Sequence, residues 1–430
     1  MRATDPKRRP KKRTWNVTAQ FEADVESRDG GEELARFFEI AAREAIFPSA
    51  EIARGRGAVF PKTARNVFGH QRQGEVVGGI RYWSNQPAMY AFFAAMGKDS
   101  GWFSNFNICH IYPGSVGHPR HFTDLRNLAM VSRTFWRFAD WMRLMEVLQR
   151  RSFELFNYRG PAGQEPPVPA HYPTGWADPE PLEDPAQIRR TLDHLRKTRP
   201  MYVHPSSRGA GGEEFLEGEG VAKRPGARDI DAEFWQRCAA NPSELALFRD
   251  WVVRHSYFAP PSIVKRTPNP FDACRRARAS VGERPRQVVD GVVLAPVAAA
   301  SDAMAMALGR ATASIRGGNV DHAWAQAPQL PAHFCHLGGL VLVPQPFSSL
   351  VDAPPIRGLL QRHLFDRTGY CGPAGTAPPP SGLMPDEWPE TVHLTAQREA
   401  RAIALLERVH RDRPSYYRSR GATARPAKRE

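Results

Sequence analysis

Four histidines recur as two pairs in this sequence, and histidine can exchange a proton or bind a metal near neutral pH. His110 and His322 are 212 positions apart, and so are His121 and His333. Either pair could work in a catalytic or metal site. Alternatively, each imidazole could be hydrogen-bonded to backbone in a loop or core. Most neighbouring positions differ between the two regions, so the retention of both pairs keeps both interpretations open.

The histidines belong to a longer internal repeat. The offset of 212 also aligns apolar residues that follow each histidine pair, namely Phe122 with Phe334, Leu125 with Leu337 and Leu128 with Leu340. The string GPAG at 160–163 recurs at 372–375, and the helix-like run at 34–47 matches 245–258 at an offset of 211. Each copy spans about 170 residues, a common size for one domain. The repeat therefore predicts two homologous domains.

Composition divides the rest of the chain. The segment 203–240 is rich in Gly, Ser, Glu and Pro, which favours a flexible linker. Both ends are basic and poor in apolar residues, which is typical of disordered tails. The predicted organisation is a basic tail (1–29), a first domain (30–203), a linker (204–240), a second domain (241–417) and a second basic tail (418–430).

Hydrophobic periodicity predicts an α+β fold, a tandem duplication of a mostly helical domain. In the first copy, helical spacing at 34–47 and 88–97 precedes two strand-like runs, 106–112 and 128–131. A further helix follows the second strand. The second copy repeats this order around 340–343. Each domain is thus expected to hold a strand–loop–strand–helix unit at its centre.

The charge of the chain indicates a polyanionic partner. The formal net charge is +14 with a pI near 9.9, and Lys and Arg neutralise phosphates. Nucleic acid is the leading candidate, with DNA preferred over RNA, although a general preference for Arg would give the same composition. Five scattered cysteines without a CxxC pair argue against a zinc ribbon or a disulfide framework. The apolar runs are strand-length, so we expect a cytoplasmic protein without a membrane segment.

The central unit resembles the ββα-metal core of HNH nucleases. The strings that carry this resemblance are CHIYPGSVGHPRHFTDLRNLAMVSRTFWRFAD (109–140) and DHAWAQAPQLPAHFCHLGGLVLVPQPFSSLVD (321–352). The resemblance implies that His110 and His322 act as general bases and that Asn127 fixes the loop that aims the base. It also implies a divalent metal, Mg or Mn rather than Zn, bound by Asp321, with His121 and His333 as further ligands.

Each copy departs from the HNH pattern. Cys109 stands where an Asp is expected, and its soft sulfur suits magnesium poorly. Gly339 stands where the second copy should have Asn. A third signature histidine, expected near Trp136 and Ser348, is missing from both copies. Neither copy therefore has the complete set.

Two functions from different classes follow. The first is an HNH-like endonuclease that hydrolyses phosphodiester bonds, or a degenerate descendant of one, in which one chain acts as a monomeric pseudo-dimer. The second is a non-catalytic nucleic-acid-binding protein. Its contacts would come from the N-terminal tail and from two arginines on a helix, namely Arg8, Arg9, Lys11, Lys12, Arg13, Arg150 and Arg362. The two helical arginines could equally form a solvated helix face. A third possibility is an interaction protein whose basic composition has no role.

Overall fold

The fold was determined from a computed structural model of the full chain. It describes residues 14–67, 73–203, 227–271, 273–274, 288–289, 292–294, 298–311, 314–390 and 392–412. Helices dominate the described residues and the strands form small sheets, so the α+β class expected from the sequence is confirmed. No helix within these residues is long and apolar enough to cross a membrane.

The α-helices, in chain order, are α1 (Val17–Ser27), α2 (Glu32–Glu44), α3 (Ala50–Ala53), α4 (Gln86–Met96), α5 (Pro119–Phe122), α6 (Trp136–Ala139), α7 (Met142–Phe156), α8 (Pro185–Thr198), α9 (Ile230–Ala240), α10 (Pro242–His255), α11 (Pro261–Arg266), α12 (Ala298–Ala307), α13 (Pro331–Phe334), α14 (Pro354–Thr368) and α15 (Ala396–Asp412). The strands are β1 (Trp15–Asn16), β2 (Thr63–Arg65), β3 (Val76–Val77), β4 (Ile80–Trp83), β5 (Phe103–Ser104), β6 (Phe106–His110), β7 (Leu128–Ser132), β8 (Arg228–Asp229), β9 (Ala273–Cys274), β10 (Val288–Val289), β11 (Val292–Leu294), β12 (Ile315–Arg316), β13 (Gly318–His322) and β14 (Leu340–Pro344).

The chain folds into two compact units. One, here called the central unit, is Glu26–Leu247. The other, called the split unit, combines Met1–Val25 with Phe248–Glu430. The split unit is therefore assembled from two separate stretches of sequence.

The central unit is built around an antiparallel pair, β6 and β7, whose register places His110 opposite Leu128. Every residue of β7 is buried, because its sequence LAMVS packs on both faces. Ile46, just after α2, extends this pair by bridging to Met130. The helix α7 follows and buries Leu144, Val147 and Leu148, which gives the expected order of strand, loop, strand and helix.

The split unit has the same kind of pair, formed by β13 and β14, with His322 opposite Leu340. Tyr257 bridges to Leu342. A continuous hydrophobic core surrounds this pair and includes residues of α11, α12 and α15. The helix α14 then follows β14, as α7 follows β7.

Two predicted boundaries differ from the structure. Residues 15–27, assigned to the disordered tail, form β1 and α1, because Val17, Phe21 and Val25 make one fully buried apolar stripe. Residues 228–240, assigned to the linker, form β8 and α9 in the same way. Residues 1–13 and 418–430 of the predicted tails and 204–226 of the predicted linker lie outside the described residues, as do 413–417 of the predicted second domain.

Candidate functional site

His110 is the last residue of β6, and its side chain turns into the core. It is 6% exposed, its ring stacks on Phe122 at 5.4 Å with 14° between planes, and Nε2 donates to the Phe122 carbonyl at 2.9 Å. A carbonyl only accepts, so Nε2 must carry the proton. Burial lowers the pKa of His110 to about 4. The imidazole is thus neutral at pH 7, and one of its nitrogens already has a backbone partner.

His322 makes the same contact at the end of β13. Its Nε2 donates to the Phe334 carbonyl at 2.8 Å, and its ring stacks on Phe334 at 5.5 Å with 12° between planes. Both predicted general bases are therefore hydrogen-bonded to a backbone carbonyl twelve residues further along the chain. These contacts match the structural role that the sequence had left open for the pair.

Asn127 joins the two ends of the loop between β6 and β7. It is fully buried, and its Oδ1 accepts from the Tyr112 backbone N–H at 2.8 Å. Its Nδ2 donates to the His121 carbonyl at 3.0 Å and to Ser115 Oγ at 3.3 Å. These contacts tie the Tyr112 and His121 parts of the loop to one buried amide.

The corresponding place in the second copy holds Gly339, and an aromatic ring occupies the space. A Cβ on Gly339 would lie 2.8 Å from Cε1 of Tyr370. No larger side chain fits there without moving that ring. An aromatic ring therefore packs at Gly339, whereas the corresponding position 127 holds a buried amide.

His121 and His333 each meet a tyrosine. The Nδ1–Oη distance is 2.7 Å both for His121 with Tyr158 and for His333 with Tyr370. Burial raises the pKa of both tyrosines, so each hydroxyl stays protonated. The sequence analysis missed these tyrosines, although Tyr158 and Tyr370 are also 212 positions apart.

A second group packs on the ring of each tyrosine, and this group differs between Tyr158 and Tyr370. The Arg126 guanidinium lies 4.8 Å from the Tyr158 ring centre and pairs with Asp124 at 2.7 Å. In the second copy His336 stacks on Tyr370 at 3.9 Å. Burial lowers the pKa of His336 to about 4, which leaves a neutral ring for stacking. The histidine–tyrosine contact recurs at both positions. The second group that packs on the tyrosine ring is Arg126 in one case and His336 in the other.

Asp321 and Cys109 occupy the predicted metal-ligand position of their copies. Asp321 Oδ1 accepts from Ser348 Oγ at 3.3 Å. The Cys109 thiol donates to the Ala129 carbonyl at 3.3 Å, and burial raises the pKa of Cys109 to about 12. Cys109 is therefore a protonated thiol rather than the thiolate that a metal requires.

The predicted ligands do not form a metal site. Within the described ranges no group of three or more His, Cys, Asp or Glu side chains could hold a metal ion. His121 and His333 instead contact tyrosines, and Asp321 contacts Ser348. No cluster of the described residues therefore offers the ligand set of the Mg or Mn ion that the resemblance implies.

Arg150 and Arg362, predicted to contact phosphates, hold the proline-rich segments that follow the GPAG turns. Arg150 pairs with Glu154 at 3.0 Å and Glu165 at 2.8 Å, and donates to the Pro166 carbonyl at 3.3 Å. Arg362 pairs with Asp366 at 2.8 Å and donates to the Pro378 carbonyl at 3.3 Å. Both guanidiniums thus already have internal partners. The tail residues Arg8, Arg9, Lys11, Lys12 and Arg13 lie outside the described residues.

Comparison with known proteins adds nothing to this geometry: the chain matches no protein-family model, no curated protein and no solved structure. The functional argument therefore depends on the site contacts and on the distribution of charge.

Proposed function

We propose that this protein binds nucleic acid, as a tandem duplication whose two strand–loop–strand units are structural rather than hydrolytic. The observation that carries the proposal is the location of the positive charge. The split unit contains 31 Lys and Arg against 18 Asp and Glu, whereas the central unit contains 28 against 27. The net charge of +14 therefore belongs almost wholly to one unit.

Three segments supply that charge. Residues 1–13, 275–287 and 413–430 together contain 18 Lys and Arg and only three Asp and Glu. In the sequence they adjoin β1, the β9–β10 connection and α15, all of which lie in the split unit. Clustered Lys and Arg attract the phosphate backbone without regard to sequence, because they release its counterions. The middle segment was not among the predicted binding residues.

Equivalent contacts support the duplication. Besides the histidine contacts, the Gln149 amide donates to the Ile111 carbonyl at 3.1 Å and the Gln361 amide to the Ala323 carbonyl at 2.8 Å. Gln149 and Gln361 are 212 positions apart, and so are Ile111 and Ala323. Such agreement in side-chain contacts extends the sequence repeat to internal geometry.

The absence of hydrolysis is proposed from the state of the predicted catalytic groups. His110 is neutral, buried and bonded through Nε2 to a carbonyl, and the described residues contain no group of three His, Cys, Asp or Glu that could hold a metal ion. An endonuclease would need these groups to face a common substrate position. The HNH-like endonuclease is thus the alternative that an activity assay must decide.

A binding assay tests the main proposal. We would titrate the full chain into labelled duplex DNA, and into RNA of the same length, between 50 and 200 mM salt. Six to ten phosphate contacts would weaken binding by about 10³–10⁵-fold over this range, and EDTA should have no effect. Duplex DNA is expected to bind more tightly than RNA. Absence of binding at low salt would refute the proposal.

A matched pair of variants locates the contact. In one, the five arginines of the middle basic segment are replaced by Gln: Arg275, Arg276, Arg278, Arg284 and Arg286. In the control, five exposed cationic residues of the central unit are replaced by Gln: Arg120, Arg159, Arg190, Arg196 and Lys197. Only the first should weaken binding and flatten its salt dependence. Equal losses in both variants would contradict the assignment to the split unit.

The endonuclease alternative is tested with supercoiled plasmid. We expect no nicking that depends on Mg or Mn. Metal-dependent nicking that disappears in His110→Ala or His322→Ala would establish the alternative and overturn the structural assignment of these histidines.

A further inference from the structure

The short strand before α1 and the short strand before α9 pair in an unexpected way. β1 runs parallel to β12, with Trp15 opposite Ile315 and Asn16 opposite Arg316. β8 runs parallel to β5, with Arg228 opposite Phe103 and Asp229 opposite Ser104. β5 and β12 are 212 positions apart, and β1 and β8 are 213 apart. The strand that precedes the first copy thus pairs with a strand of the second copy, and the strand that precedes the second copy pairs with a strand of the first.

The helix α1 follows β1 into the split unit. Phe21 is fully buried, with its ring 4.8 Å from Phe347, 5.2 Å from Trp251 and 5.2 Å from His255. Val17 belongs to the hydrophobic core of that unit. The helix that precedes the first copy in sequence therefore completes the core of the second.

The helix α9 does the reverse in the central unit. Phe234 is fully buried with its ring 5.1 Å from Phe135. Asp231 accepts from the Thr134 backbone N–H at 2.8 Å, and Trp235 Nε1 donates to Thr134 Oγ1 at 3.0 Å. The helix that precedes the second copy completes the core of the first.

We propose that the two copies reciprocally exchange their leading strand–helix segments, 15–27 and 228–240, as two protomers do in a domain-swapped dimer. The inference rests on the proposed duplication. It is carried by the correspondence of the buried positions: an offset of 213 takes Val17 to Ile230 and Phe21 to Phe234, and 212 takes Phe135 to Phe347. Each segment occupies in one unit the place that its counterpart occupies in the other.

Charge makes each segment specific for the unit that holds it. In the central unit, Arg237 of α9 forms a two-bond ion pair with the buried carboxylate of Glu44, at 2.6 and 3.0 Å. The corresponding positions in the split unit carry the opposite arrangement, Asp24 of α1 beside His255 at 3.1 Å. The carboxylate therefore lies on the receiving unit in the central unit and on the exchanged helix in the split unit.

The unexchanged arrangement would lose both pairs. It would set Asp24 against Glu44 in the central unit, where Arg43 already pairs with Glu244. It would also set Arg237 against Arg254 in the split unit, where Asp24 now pairs with Arg254 at 3.6 Å and contacts His255 at 3.1 Å. Like charges in these places disfavour the alternative pairing, which is how sequences select between similar partners.

The strand contacts reinforce that specificity. Asn105, beside β5, donates to Asp229 at 2.7 Å in the central unit. The residue that corresponds to Asn105 in the split unit is Gly317, with φ of +61°, and a Cβ there would overlap Asn16 Oδ1. The split unit therefore accepts Asn16 because it has no side chain at that point.

Cysteine pairs in the full chain test the exchange directly. Opposed residues on neighbouring strands lie about 4.8 Å apart, close enough for a disulfide. On a background of Cys274→Ser and Cys371→Ser, one variant carries Asn16→Cys with Arg316→Cys and a second carries Ser104→Cys with Asp229→Cys. The controls carry the unexchanged combinations, Asn16→Cys with Ser104→Cys and Asp229→Cys with Arg316→Cys.

After mild oxidation, the first two variants should give cross-linked monomers that migrate faster on a non-reducing gel, and the controls should not. Cross-links in the control combinations, covalent dimers, or no cross-link in either exchanged pair would overturn the inference. The readout does not involve nucleic acid, so its failure is separate from failure of the binding proposal.

Discussion

Phe21→Ala gives a quantitative test of where α1 belongs. The Phe21 side chain is fully buried and its ring contacts three others, those of Trp251, His255 and Phe347. Removing a buried phenyl ring costs about 3–5 kcal/mol, the sum of lost burial and the cavity that remains. Although Phe21 is followed in sequence by the first copy, that cost should fall on the split unit.

Hydrogen exchange measured by mass spectrometry on the full chain would localise the loss. Amides of α12, β13 and β14 should exchange faster by roughly 10²–10³-fold or more, since about 1.4 kcal/mol corresponds to a factor of ten. Amides of β6, β7 and α7 should be much less affected.

The matched control is Phe234→Ala, which removes the equivalent ring from α9. Its effect should appear in β6, β7 and α7 of the central unit. If Phe21→Ala deprotected mainly the central unit, or Phe234→Ala mainly the split unit, the packing argument would be refuted.

The remaining predictions concern His110 and the contacts of Tyr158 and Arg150. Tyr158→Phe should lower the free energy of unfolding by about 1 kcal/mol, because it removes the hydrogen bond to His121; denaturant unfolding measures this, and an unchanged midpoint would contradict it. Burial lowers the pKa of folded His110 to about 4 from its ordinary value of 6.5, so between these pH values the unfolded chain binds a proton that the folded chain does not. Stability should fall by up to about 3 kcal/mol as pH drops through that window, and His110→Gln should lose less than wild type in a pH series. Arg150→Met should destabilise the chain through loss of the Glu165 contact while leaving DNA affinity unchanged; a fall in affinity without a fall in stability would favour a phosphate contact.

The secondary structure was predictable because periodicity reflects burial. The strand-like runs predicted at 106–112 and 128–131 overlap the paired strands β6 and β7, and the apolar residues of 144–148 form part of the buried face of α7. The same signal was available in Val17, Phe21 and Val25, spaced by four residues. The predicted tail (1–29) included these residues because the adjoining run 1–13 is strongly basic.

The partners of the histidines could not be read from residue types. His110 and His322 donate hydrogen bonds to backbone carbonyls. Because every residue has a backbone carbonyl, the residue type does not identify the acceptor. The proposed exchange could not be recognised from the sequence for a similar reason. Asp24 and Glu44 look like ordinary helix charges until their partners, His255 and Arg237, are known.

The exchange and the charge distribution are connected. Residues 1–25 contain seven Lys and Arg against three Asp and Glu, and they precede the first copy in the sequence. Because β1 and α1 belong to the split unit, the basic run 1–13 that precedes them in the sequence is connected through the chain to that unit and not to the central unit. Under the proposed exchange, all three basic runs are therefore connected in sequence to elements of one unit. A polyanion would then distinguish two units whose cores and loop contacts remain closely alike.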